Sequence, residues 1–176
     1  MLTVLLLANP SFCLPVVRIA LTPLAVLTLL SSIVTTAISG SLEDHWSKTN
    51  SFPSTSYRDR ERILLAAGII GIVVSIYSTI GTLRFADSAA FGIFPNLILW
   101  AIVFILGLIG ASSLTALTDK IDCGDVDWSR CNVTKGLVAI GWIETIFAFI
   151  FLIIVFFLGV KARSGAGMRK STFVDV

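Results

Sequence analysis

The sequence predicts an all-α protein: an integral membrane, antiparallel four-helix bundle with short loops. Three observations lead there. Hydrophobic residues make up 56% of the 176-residue chain and charged residues only 14%, where a soluble domain carries about 25% charged. The mean hydropathy is +0.94. Four apolar runs also reach the roughly 20 residues needed to cross about 30 Å of hydrocarbon. Four such spans use about half the chain and leave short loops and a tail, which is one domain with no separate soluble module.

The first ten residues, Met1 to Pro10, lack a basic n-region and have a very short apolar core, so they read as an interfacial segment and not a signal peptide. The divisions expected are 1–13 as this N-terminal segment, 14–160 as the four-span membrane domain and 161–176 as a basic cytosolic tail. Span one runs from about Leu14 to Ser39, through Arg18, Pro23 and the polar cluster Ser31, Ser32, Thr35 and Thr36. Span two follows the charged run Arg58 to Arg62 and extends from about Ile63 to Leu83. Span three opens near Phe94-Pro95, where proline suits a first helical turn, and reaches about Leu117. Span four runs from about Gly136 to Val160 and contains Glu144.

Several function classes are excluded. A net charge of +2 without a basic, aromatic-interleaved stripe gives no nucleic-acid partner. One histidine and three cysteines fall short of the three or four ligands of a zinc site. His45 alone cannot build a two-histidine haem or a Ser-His-Asp set, and Cys13 leaves one cysteine pair plus an odd thiol, short of a disulfide oxidase. No catalytic, metal or cofactor-binding residue is expected, and the chain reads as a non-enzyme without a cofactor.

Lys and Arg do not decide the orientation. Arg18, Arg84 and the four tail cations make six on one side, against seven in loops one and three, and the positive-inside rule considers only these residues. The cysteines decide it. Cys123 and Cys131 flank an acidic loop, and a disulfide between them requires an oxidising compartment. That places loops one and three outside and both termini in the cytosol. Asn132-Val133-Thr134 is a glycosylation sequon favouring the same orientation. Asn132 lies so near span four that an unused sequon is the expectation.

Glu144 is the most informative residue. An acid in a membrane helix costs about 2–4 kcal/mol and must face the bundle or water and find a partner. With span one running the other way, Ser31, Ser32, Thr35 and Thr36 reach a similar depth. One reading is a protonated Glu144 hydrogen-bonded to those hydroxyls, locking two helices; the other is a proton or cation relay. Relays need ionisable groups at successive depths, and the other spans offer none, so the lock, with Glu144, Thr35 and Thr36 as an intramembrane polar contact, is the expectation. Small residues, Gly68, Gly71, Ser75 and Ser78 in span two and Gly107 and Ala111 in span three, allow the close helix approach that drives association in lipid. Trp100, Trp128 and Trp142 are candidates for interfacial or lipid-facing aromatics, or for bundle filling.

The layout resembles the MARVEL-domain family, most closely its fungal four-span members. Short cytosolic termini, four spans, a brief second loop and a cysteine pair in the second outer loop carry the resemblance. So do the polar end Ser112 to Thr118, the pair Cys123 and Cys131, and Gly141-Trp142-Ile143-Glu144 before a Phe-rich fourth span. The resemblance implies a non-catalytic protein that organises membrane microdomains or vesicle and plasma-membrane assemblies. Its implied partners are membrane lipids and other membrane proteins, further copies of itself included, in the plasma membrane or secretory-pathway vesicles. The alternative is a small accessory subunit or transporter-like component of a larger membrane complex, with Glu144 as the polar contact.

Overall fold

The computed structural model describes residues 10–49, 55–84, 93–119, 123 and 130–162, and the side chains of 21–48, 56–84, 93–119, 123 and 130–160. The segment 1–9, most of loop three with Trp128, residues 163–176, and the side chains of Cys13 and Arg18 lie outside this set. Four helices carry the fold: α1 Pro10–Thr49, α2 Thr55–Arg84, α3 Ile93–Thr118 and α4 Cys131–Ala162. Among the described residues there is no strand. All four helices are long and apolar enough to cross a membrane.

Loop one differs from its expected extent of Gly40 to Arg62. Helix α1 continues to Thr49 and α2 begins at Thr55, so the charged run Arg58 to Arg62 is helical. Apolar residues keep recurring at helical spacing through these polar stretches and bury themselves: Leu42, Trp46, Tyr57 and Leu64 join Leu114 and Leu137 in one cluster. Arg62 also reaches across to Glu43, donating from Nε at 3.0 Å and Nη2 at 2.5 Å. At 40 residues, α1 is roughly 60 Å long at 1.5 Å per residue.

Each helix packs mainly on two others: α1 on α2 and α4, and α3 on α2 and α4. On each helix one series of buried positions recurs by alternating steps of three and four, with Ser31, Ala67, Val74, Ala111 and Thr145 buried beside it. In α1 they are Leu21, Ala25, Thr28, Ser32, Thr35, Ser39, Leu42 and Trp46; in α2, Tyr57, Glu61, Leu64, Gly68, Gly71, Ser75, Ser78 and Thr82. In α3 they are Ile93, Asn96, Trp100, Val103, Gly107, Gly110 and Leu114; in α4, Thr134, Leu137, Gly141, Glu144, Ala148, Phe151, Val155 and Leu158. This 3.5-residue period is that of a left-handed supercoil. The seam is unusual in its chemistry, because hydroxyls and glycines occupy many places where a soluble coiled coil has Leu or Ile. The outward faces are the opposite: Leu30 and Ile33 on α1, Val73 and Ile80 on α2, Ile105 and Ile109 on α3, Ile146 and Phe157 on α4 are all exposed.

Candidate functional site

The inward-facing polar side chains fall into three groups. The first lies where α1 and α2 approach their connecting segment. Tyr57 shares a hydrogen bond of 2.9 Å with the hydroxyl of Thr134 in the first turn of α4, and Trp46 meets the Tyr57 ring edge-on at 6.5 Å. Glu61, one turn along α2, is 1% exposed, with the Tyr57 hydroxyl beside its carboxyl. Farthest along the seam, Ser78 donates to Asn96 Oδ1 at 2.7 Å and accepts from Trp100 Nε1 at 2.9 Å. Trp100 in turn stacks on Phe151, centroids 4.0 Å apart.

Between these lies Glu144, 2% exposed. Ser32 of α1 donates its hydroxyl to Glu144 Oε1 at 2.6 Å. Thr35 stands beside the same carboxyl, fully buried. Glu144 Oε2 and Thr35 Oγ1 are both shut off from solvent, and Thr35 is the second hydroxyl to serve the carboxyl. The third helix to meet this point is α2, through Gly71. A Cβ there would collide with Ser32 Oγ and stand 2.6 Å from Glu144 Oε1. Here glycine is required by the close approach itself.

The structure divides the hydroxyl cluster read from the sequence. Ser32 and Thr35 face Glu144. Thr36 turns toward α2, its Oγ1 against Gly68, and makes no hydrogen bond to Glu144. Ser31 donates to its own helix at the Thr28 carbonyl, 2.9 Å away. Asn132 is exposed on the first turn of α4, while Thr134 of the same sequon is buried. Cys123 and Cys131 lie at disulfide distance, Cα atoms 5.6 Å apart. Trp100 is wholly buried, and the partly buried Trp142 donates from Nε1 to Thr115 Oγ1 at 3.0 Å.

Glu61 is the residue that sequence reasoning missed. It sits in a run of alternating charge that reads as a solvated loop, yet it occupies the seam position three residues before Leu64 and seven before Gly68. Extending the small-residue stripe of span two backward by that rule would have found it.

Comparison with protein-family models, curated proteins and solved structures finds no match. The function must therefore be argued from the site. Among the described residues no three His, Cys, Asp or Glu side chains converge on one point. No lysine, arginine or histidine among the described side chains is buried. What the arrangement offers is two carboxyls held inside a bundle, one of them joined to hydroxyls, with no buried protein cation to neutralise either.

Proposed function

We propose that this is a non-catalytic, MARVEL-like tetraspan protein that organises membrane microdomains or vesicle and plasma-membrane assemblies by lateral association. The observation that carries this reading is the division of side chains by face. Aliphatic and aromatic residues cover the outside of all four helices, while hydroxyl, amide and carboxyl groups turn inward. In lipid, helices gain little from hiding Leu or Ile and associate through close packing and interhelical hydrogen bonds. Gly68, Gly71, Gly107 and Gly110, together with the Ser32–Glu144 and Ser78–Asn96 bonds, supply both. An antiparallel arrangement is supported by the pairing of α1 with α2: Trp46 meets Tyr57, whereas Ser32, four turns earlier in α1, meets Gly71, about four turns beyond Tyr57 in α2. With the cysteine pair outside, both termini then face the cytosol.

Reconstitution tests this. Copies labelled with donor and acceptor dyes at the tail, in vesicles that separate into ordered and disordered phases, should show energy transfer above that of a monomeric four-helix control and enrichment in one phase. Random distribution with control-level transfer would sink the organiser. The two buried carboxyls, Glu144 and Glu61, favour a second reading, the transporter-like or accessory subunit. Solute flux dependent on Glu144 and Glu61 in the same vesicles would select it.

A further inference from the structure

A cavity of about 220 Å³ opens between the end of α3 and the start of α4, lined by Thr115, Thr118 and Asp119 on one side and by Lys135 and Val138 on the other. Among the described residues neither Asp119 nor Lys135 forms an ion pair. Two opposite charges thus line one cavity without neutralising each other. The hydroxyls beside them add acceptors and no donors. Thr115 gives its proton to the Ala111 carbonyl at 2.7 Å, and Thr118 gives its own to the Leu114 carbonyl at 3.0 Å. Each therefore has only lone pairs left to offer, and one of those on Thr115 is taken by Trp142 Nε1 at 3.0 Å.

The ligand that answers this lining carries a cation rich in N–H donors with an anion close by. A primary ammonium brings three donors, enough for Asp119, Thr118 and the remaining lone pair of Thr115. A phosphate suits Lys135, since lysine binds phosphate as a point charge. At about 220 Å³ the space is smaller than the roughly 300–1,000 Å³ of sites for drug-sized ligands, so it takes a headgroup and not a whole lipid. Its position fits as well. It lies at the adjoining ends of two candidate spans, Ile93–Thr118 and Cys131–Val160. Farther along, the surface between the same two helices turns apolar: Phe104 meets Phe149, ring centroids 5.2 Å apart, and Leu108 and Phe149 are exposed. Thr115 and Phe104 stand about three turns or 16 Å apart on α3, close to half of the roughly 30 Å hydrocarbon core. That is the reach of an acyl chain in one leaflet.

We propose that this cavity holds the headgroup of phosphatidylethanolamine, its ammonium at Asp119, Thr118 and Thr115 and its phosphate at Lys135, with one acyl chain along the groove past Leu108 and Phe104. Phosphatidylcholine carries the same two charges but no N–H, and leaves those acceptors without donors. An anionic headgroup meets Asp119 with like charge. This site rests on the lipid-embedded reading proposed above, to which it adds the class of lipid held.

The test uses the purified full-length chain, first floated with vesicles and then placed in nanodiscs. The nanodiscs contain equal parts of phosphatidylethanolamine, its mono- and dimethylated forms, phosphatidylcholine and phosphatidylglycerol, all with the same acyl chains. Native mass spectrometry of the released chain reads which lipid it retains. The expected result is one lipid per chain, with retention falling at each N-methylation, about tenfold or more from first to last. Asp119→Asn should erase that ranking, and Lys135→Met should lower retention of every phospholipid in the methylation series alike. Both side chains are exposed, so neither change disturbs the packed seam. Equal retention of phosphatidylethanolamine and phosphatidylcholine by a chain that floats would overturn the site and leave the membrane reading standing. A preference for phosphatidylglycerol, or a ranking unchanged in Asp119→Asn, would overturn it too. So would displacement of the lipid by equimolar glycerophosphoethanolamine, which would assign the cavity to a soluble headgroup. A chain that floats with none of these lipids would overturn the membrane reading and the site together.

Discussion

Replacing Gly71 with alanine is the sharpest perturbation of the central layer. The added methyl would strike Ser32 Oγ and lie 2.6 Å from Glu144 Oε1 and 3.2 Å from Ser32 Cβ. The two oxygens can swing aside only by abandoning the 2.6 Å hydrogen bond between them, and Ser32 Cβ can retreat only if α1 moves. Losing that bond, and with it the carboxyl's hydrogen-bonded partner, costs about 2–4 kcal/mol. Alanine returns about 1 kcal/mol of helix propensity, so the net destabilisation is roughly 1–3 kcal/mol. For a chain of this size that lowers the melting temperature by roughly 2–12 °C. Gly40→Ala and Gly136→Ala are the internal controls, because a Cβ at either meets nothing within 4 Å. Both should leave stability unchanged or raise it. Thermal melting of the three variants in one detergent, with a Gly71→Ala/Ser32→Ala double variant, gives the answer. In the double variant the collision with the hydroxyl is gone, so the two changes should cost less together than their sum. If Gly71→Ala melts at or above the two controls, the close packing of α1, α2 and α4 around Glu144 is wrong.

Three further outcomes follow from the other contacts. Trp100→Phe keeps the stack on Phe151 but removes the donor to Ser78, and should cost about 1–3 kcal/mol by the same melting assay. Tyr57→Phe removes the hydroxyl that meets Thr134; a loss of about 1 kcal/mol is expected, and no change in melting would mean the bond does not form. Reducing the link between Cys123 and Cys131, eight residues apart, should destabilise the chain by about 2–3 kcal/mol on loop-closure entropy, seen as a lower melting temperature with dithiothreitol and none in Cys123→Ser.

The four long apolar helices were legible because each is a run of about twenty mostly apolar residues bounded by charge or by Gly, Pro and Ser. Their ends were not. The stretch from Gly40 to Lys48 and the run Arg58 to Arg62 are polar by composition, and only Leu42, Trp46, Tyr57 and Glu61, spaced at helical intervals, keep them in the bundle. Glu144 was conspicuous as an acid in an apolar run, and its placement against span one followed from depth. Choosing Ser32 over Ser31, or Thr35 over Thr36, was out of reach, because neighbouring residues differ by about 100° around the axis and depth says nothing of rotation. Glu61 stayed hidden because its neighbours Asp59 and Arg60 share its composition and differ only in the face they occupy.

The unbroken three-and-four spacing of the buried positions also bears on which length changes the chain can absorb. Inserting one residue between Leu137 and Glu144 would turn everything beyond it by about 100°, swinging the Glu144 carboxyl away from Ser32 and into the place that Thr145 now fills against Gly107. The lost bond to Ser32 costs about 1.5–3 kcal/mol for the acid alone. Inserting seven would restore the same face one heptad later. The helices thus possess a reading frame of faces, by analogy with that of codons: homologous chains are expected to vary freely in side chains along the outer surface, yet to gain or lose residues within the spans only in whole heptads, and otherwise only in the connections between them.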